Sequence, residues 1–241
     1  FNFIIAQSNL DKKKIEVSSG LPVSQVINLK NSSPKIVCNE KIKKLFENKK
    51  KGKFIISAVS THDGEEEIIL KSFSKLLKMN RNMILVIQPR HPERKKNILK
   101  EIKKYHLSFR QRSLKEFPEK STNVYLFDTF GESGLVIAIA NLIILGGTLV
   151  PIGGHNIIES AQFKKCIICG PYHFKISELV DYFNNKNAII LTKRNLLAQV
   201  IFDLFRDRKK LKQVGINAGK ITSNFKEENS IVYNKIKNLD H

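Results

Sequence analysis

At 241 residues, 41% of them apolar, the chain is long enough to bury a substantial core, and 42 basic against 22 acidic residues leave a formal charge of +20. That excess would draw a chain to nucleic acid or to an anionic membrane, but its lysines are scattered among Asn and Ile along the whole length, as in KIKKLFENKKKGK (41–53), and no known nucleic-acid module occurs. A nucleic-acid role is therefore disfavoured, an attraction to anionic lipid is retained, and three cysteines are too few for a disulfide framework.

The chain opens at Phe1 rather than a methionine and runs straight into an apolar stretch, 1–6, as expected of a fragment or processed product. A polar, helix-like piece follows to Ser18, then a turn at Gly20-Leu21-Pro22 and a short strand at 23–27. NLKNSSP (28–34) has linker composition and divides a leading segment, 1–30, from a domain at 31–241. After an amphipathic piece at 41–46 the pattern alternates. Strand-like runs at 54–59, 83–87, 124–127, 142–145, 166–169 and 188–191 are separated by helical segments. The helices are expected near Ile69, Phe73, Leu76 and Leu77, then at 95–104, 134–140, 157–163, 176–183 and 196–205, with two more at 209–218 and 227–237. Short buried strands alternating with helices define an α/β fold with a doubly wound, mostly parallel, Rossmann-like sheet. Residues 134–154 carry no charge and have the length of a membrane span, but Gly146, Gly147, Pro151, Gly153 and Gly154 break the second half into strand and loop.

In such sheets ligands bind outside the carboxyl ends of the strands, where strand order reverses. The unusual residues fall in the loops that leave strands: STHDGEEE (60–67), QPRHPER (88–94), DTFGE (128–132), GGTLVPIGGHNIIE (146–159) and GPYHF (170–174). Asn156, with Glu159 three positions on, reads either as a capping box or as a helix start that receives an anion while Glu159 reaches a hydroxyl. Arg90, between two prolines, is suited to clamp a phosphate or to pair with Glu93. Gly131 and Glu132 would bring backbone to a nucleotide and a carboxylate to a ribose, or form a plain turn. Asp63 is placed as a helix N-cap, with Glu65, Glu66 and Glu67 in the first turn, which makes that helix end a poor phosphate receptor. Ser60, Thr61, His62, His91, Gly147, Thr148, Gly154 and His155 are further candidates for loop or sugar contacts. His62, His91, His155 and His173 raise a metal centre, but no HxH or HExxH pair supports one, and no metal or cofactor is expected. GxGxxG, Walker A and GxSxG signatures are absent, and Cys166 and Cys169 point to opposite faces of a strand as core thiols.

STHDGEEEIIL, QPRHPER, DTFGESGLVIAIAN and GGTLVPIGGHNIIESA, in this order and spacing, resemble the C-terminal half of the bacterial 3-deoxy-D-manno-octulosonic acid (Kdo) transferases. FIIAQSNLDKKKI and INLKNSSP resemble the family's lead-in to that half. The resemblance implies a GT-B glycosyltransferase, with two Rossmann-like domains across a cleft and the nucleotide donor held by the C-terminal one. It also implies transfer of Kdo from CMP-Kdo to a lipid A precursor in lipopolysaccharide biosynthesis, with inversion and without a metal, at the cytoplasmic face of the inner membrane. By motif, Pro89 and Arg90 would meet the CMP phosphate, Phe130, Gly131 and Glu132 would line the nucleotide, and Asn156, Ile157, Ile158 and Glu159 would hold ribose and phosphate. Phe130 stands where the family more often has methionine. No catalytic residue is expected in this chain, because the family's general base, membrane anchor and acceptor surface lie in the N-terminal domain. Residues 1–30 would then be the end of that domain and the linker. The competing readings are another GT-B nucleotide-sugar transferase or epimerase, and a non-catalytic basic module for lipid or nucleic acid.

Overall fold

The computed structural model describes residues 3–28, 31, 33–50 and 52–237. Phe1 and Asn2 of the apolar start, and Leu29, Lys30 and Ser32 of the expected linker, lie outside the described residues, as does one side of the expected 30/31 boundary. The chain forms two compact units, one of Phe1–Lys35 with Lys220–His241 and one of Ile36–Gly219.

In the first unit, strands β1 (Ile5–Ala6) and β2 (Gln25–Val26) pair in parallel around helix α1 (Asn9–Ser19). Ser8 caps that helix by accepting from the Asp11 N–H at 3.1 Å, and Gly20, at φ 69°, ends it in the left-handed region that glycine adopts without steric cost.

The second unit begins with α2 (Glu40–Lys49) and then alternates through β3 (Phe54–Thr61), α3 (Glu65–Met79), β4 (Met83–Pro89), α4 (Lys95–Lys104), β5 (Phe109–Gln111) and β6 (Val124–Leu126). It continues with α5 (Ser133–Ile139), β7 (Leu142–Leu145), α6 (Ile157–Gln162), β8 (Cys166–Cys169), α7 (Ser177–Asn185), β9 (Ile190–Leu191), α8 (Leu197–Arg206) and the start of α9 (Arg208–Lys237), whose residues from Lys220 on belong to the first unit. Seven strands form one sheet in the order β5-β6-β4-β3-β7-β8-β9, every pairing parallel. The doubly wound α/β architecture is as the alternation predicts.

The strands read as continuous apolar runs because helices cover both faces. One face of the sheet, with Ile56, Leu85, Ile87, Leu126 and Ile144, packs against Ile69 and Phe73 of α3, Ile98 of α4 and Ile201 of α8. On the other, Phe46 of α2 meets Tyr125 edge to face at 5.1 Å, and Ser57 donates to the Val136 carbonyl of α5. Cys166 faces the first of these cores; Cys169 alternates away from it, and burial pushes both thiols up to about 12.

Two elements differ from expectation. The edge strand β5 was not predicted, because FRQ carries no apolar period and is paired only through its backbone to β6. The two C-terminal helices are one helix of 30 residues, α9. Gly219 and the β-branched, polar run after it lower helix propensity and read as a break. In the structure Gly215 and Gly219 lie on one face of α9, where a Cβ on Gly215 would stand 2.2 Å from the Lys164 carbonyl oxygen, so these glycines admit close packing.

Candidate functional site

Strand order reverses between β3 and β7, since the chain adds β4, β6 and β5 on one side of β3 and β7, β8 and β9 on the other. The loops leaving these two strands must diverge there, and a crevice opens at their carboxyl ends. Gly146, the first residue after β7, makes the approach possible: a Cβ there would stand 2.1 Å from the Ser60 carbonyl oxygen. Ser60 itself is held at φ 59°, a left-handed conformation that a serine adopts only when its surroundings impose it. Glu65 ties the two loops together. Fully buried, it accepts backbone hydrogen bonds from His62 (2.9 Å), Gly147 (2.8 Å), Thr148 (3.1 Å) and Leu149 (2.9 Å).

A hollow of about 310 Å³ occupies the crevice, lined by Ser60, Arg90, Gly131, Ser133, His155, Asn156, Glu159 and Ser160 over an apolar floor of Ile36, Val59 and Leu145. Its size sits at the lower end of the roughly 300–1,000 Å³ common to small-molecule sites. A larger hollow, about 500 Å³, lies between the residues leading into β9 and the start of α9, but its lining of Asn187, Ile189, Val214 and surface lysines sits at the wrong end of the sheet for this chemistry.

Arg90 reaches the hollow from the end of β4. Pro89 is buried opposite Thr61, and the Arg90 N–H donates to the Thr61 carbonyl at 2.9 Å, so the backbone beneath the guanidinium is fixed. Arg90 has no ion-pair partner among the described residues; Glu93, its expected alternative, lies 3.5 Å from His91 instead. Across the hollow, Asn156 caps α6 by accepting from the Ile158 N–H at 2.9 Å and donates from its side-chain amide to Glu159 at 3.1 Å. The box is thus closed between side chains, and Glu159 does not reach back to the cap backbone. Burial pushes the Glu159 carboxyl above its ordinary value, opposed by the Asn156 hydrogen bond and by Arg90.

At the rim, the His155 and His62 rings lie nearly parallel and meet edge to edge, with ring centroids 4.8 Å apart and Nε2 atoms at 2.6 Å, one donating to the other across the two loops. Burial, then the positive neighbours His62 and Arg90, push His155 down to about 4, so it is neutral near neutral pH.

Other predicted residues make contacts within the protein. The Glu132 carboxylate is held within the protein: Arg112 binds it through two nitrogens at 2.7–3.1 Å, and the Thr129 hydroxyl donates to it as well. Burial disfavours its charge, but these donors outweigh that and hold its pKa below the ordinary value. Thr61 is buried and donates to Glu66 at 2.7 Å. Gly147 and Thr148 have their N–H groups on Glu65, and the Thr148 hydroxyl joins the Leu145 carbonyl to the Gly170 N–H. Gly154, at φ 89°, donates to the Gly147 carbonyl and packs on Ile176. Ile157 and Ile158 bury their side chains in the core, leaving only backbone for a ligand, while Phe130 is 78% exposed and is not part of the lining. Asp63 does not cap α3, whose cap is Gly64; it pairs with Arg94 at 2.9 Å. His173 meets the Gly170 carbonyl, and among the described residues no group of three or more His, Cys, Asp or Glu is arranged to hold a metal ion.

Sequence reasoning missed Ser133, Ser160 and Ile36 in the lining, and Arg112 as the partner of Glu132. None carries a local signal: Ser133 and Ser160 read as ordinary helix residues, and Ile36 lies 23 positions or more from the rest of the lining. Glu65 was placed in a first helical turn, where its role as a tie between two loops is invisible.

A seven-stranded parallel sheet with helices on both faces and a polar hollow at the order reversal is the architecture of the C-terminal domain of a GT-B glycosyltransferase. A glycosyltransferase of Rickettsia africae shares this fold over 97% of the chain and 63% of its own, with a TM-score of 0.58 at 17% identity. The 3-deoxy-D-manno-octulosonic acid transferase of Rickettsia prowazekii is 35% identical over 197 residues, 80% of this chain and 42% of that protein. The C-terminal CMP-Kdo binding domain of WaaA from Acinetobacter baumannii matches 76% of this chain and 94% of its own, with a TM-score of 0.71 and 27% identity. No protein-family model matches. The chain is homologous to the C-terminal half of the bacterial 3-deoxy-D-manno-octulosonic acid transferases, and it spans about half the length of the curated relatives it matches.

Proposed function

We propose that the crevice binds the cytidine monophosphate part of CMP-Kdo, and that the chain is the donor-binding part of a Kdo transferase in lipopolysaccharide biosynthesis. The observation that carries this reading is the Arg90 guanidinium, free of any ion-pair partner among the described residues, sharing one hollow with the Glu159 carboxyl and Asn156. A planar guanidinium suits a phosphate, and a carboxylate suits the paired hydroxyls of a ribose. Gly131, at φ 75° with open space around it, lets backbone approach the nucleotide. The homologue's CMP-Kdo binding domain supports the choice of nucleotide.

In this reading residues 1–30 are the end of an acceptor domain with its linker, and residues 31–241 are the donor domain. The acceptor is a lipid A precursor. A general base from outside this chain deprotonates the attacking hydroxyl, the anomeric centre inverts, and Arg90 stabilises the departing CMP without a metal. The +20 charge favours the anionic cytoplasmic face of the inner membrane. Among the described residues no helix is long and apolar enough to cross a membrane. Alone, the chain binds CMP weakly and does not turn over.

Calorimetric titration with CMP, UMP and UDP tests the proposal. CMP is expected to bind most tightly; preference for a uridine nucleotide would instead mark a different nucleotide-sugar enzyme.

A further inference from the structure

The last side chain before Pro89 on β4 is a glutamine, Gln88, in a strand otherwise apolar up to that point and only 5% exposed. Its Nε2 donates to the Ser133 hydroxyl at 3.0 Å, while its Oε1 is buried with no hydrogen-bond partner among the described residues. An unpartnered buried amide oxygen costs stability, a penalty that an apolar side chain at the same position would avoid. The half of the amide that is used goes to a hydroxyl lining the hollow. The fold therefore gains little from Gln88, and its retained contact concerns the site.

We infer that Ser133 is a ligand-binding hydroxyl, and that Gln88 is the positioning residue that holds it for an acceptor atom on the nucleobase. With the amide N–H occupying a lone pair of the Ser133 oxygen, the O–H remains as a donor toward the hollow. The other polar groups divide by chemistry: Arg90 matches the anion, Glu159 matches the ribose hydroxyls, and the neutral hydroxyl matches a carbonyl or ring nitrogen of the base. This inference rests on the nucleotide reading above.

Titrations of the 241-residue chain with CMP and with cytidine, which lacks the phosphate, test it. Ser133→Ala should weaken both by about five- to tenfold, the loss of one well-made hydrogen bond, and Ser133→Thr should restore most of it. Gln88→Leu should weaken both ligands, and the double variant Gln88→Leu/Ser133→Ala should be no weaker than Ser133→Ala alone, because the glutamine acts only through the hydroxyl. Affinities within twofold of wild type in Ser133→Ala overturn the inference, and a loss confined to CMP assigns the hydroxyl to the phosphate and overturns it equally. If Arg90→Ala loses CMP while Ser133→Ala does not, this inference alone fails. If wild type and Arg90→Ala both bind CMP no better than UMP, the nucleotide reading fails with it.

Discussion

Arg90 enters the hollow from a backbone fixed by Pro89 and by its own N–H to Thr61, and it leaves no carboxylate behind if removed. Arg90→Ala should therefore unfold within about 0.5 kcal/mol of wild type, as surface substitutions do. Its CMP affinity should fall by about ten- to a hundredfold, the worth of a charge-assisted contact. Equal CMP affinities by calorimetry would remove Arg90 from the site. Glu132 makes the opposite case, a predicted ligand residue whose carboxylate is committed to Arg112 and Thr129. Its folded pKa lies below the ordinary 4.5, so the stability it contributes is present above that value and is lost as pH falls through the depressed one. Glu132→Gln should cost about 1–2 kcal/mol near neutral pH and should flatten that acid-side loss in urea midpoints followed below the ordinary carboxylate value. An unchanged acid slope would show that the pair with Arg112 carries no stability.

The site is made by two elements that diverge, and the loops after β3 and β7 are joined by three devices: Gly146 beneath Ser60, the Glu65 carboxylate on four backbone N–H groups, and the His62–His155 hydrogen bond. Two glycines of this region differ in kind, which gives a sharp comparison. A methyl on Gly146 meets backbone at 2.1 Å, and backbone cannot rotate away, so Gly146→Ala should destabilise by at least about 3 kcal/mol or prevent folding. Gly131→Ala meets nothing within 4 Å and bears only the strain of φ 75°, about 1–2 kcal/mol. Chemical denaturation of both variants checks the order; a Gly131 variant as damaged as the Gly146 one would mean that the close approach at Ser60 is not what holds the crevice.

Across the whole chain, a +20 charge spread along the sequence and a focused hollow are separable properties. Binding to anionic phospholipid vesicles should fall steeply with added salt, because it is a sum of exposed lysine contacts within a short screening length. It should survive Arg90→Ala, whereas CMP binding should not. Vesicle binding lost in Arg90→Ala, with CMP binding intact, would exchange the two roles and favour a lipid-binding module.

The sequence by itself determined most of the alternation of strands and helices, because the inner strands of the large sheet are apolar on both faces and most of the helices between them on one, a local pattern that no distant contact has to supply. It also determined that the informative loops share one edge, since parallel strands place all their carboxyl ends together. Tertiary structure alone decided which residues of those loops line the hollow. Glu132 and Glu159 look alike in sequence, each an acidic residue near a helix start, yet one is claimed by an arginine 20 positions earlier and the other is left beside Arg90. Pairing across such separations depends on where the sheet carries each loop, and a window of sequence holds no record of that distance.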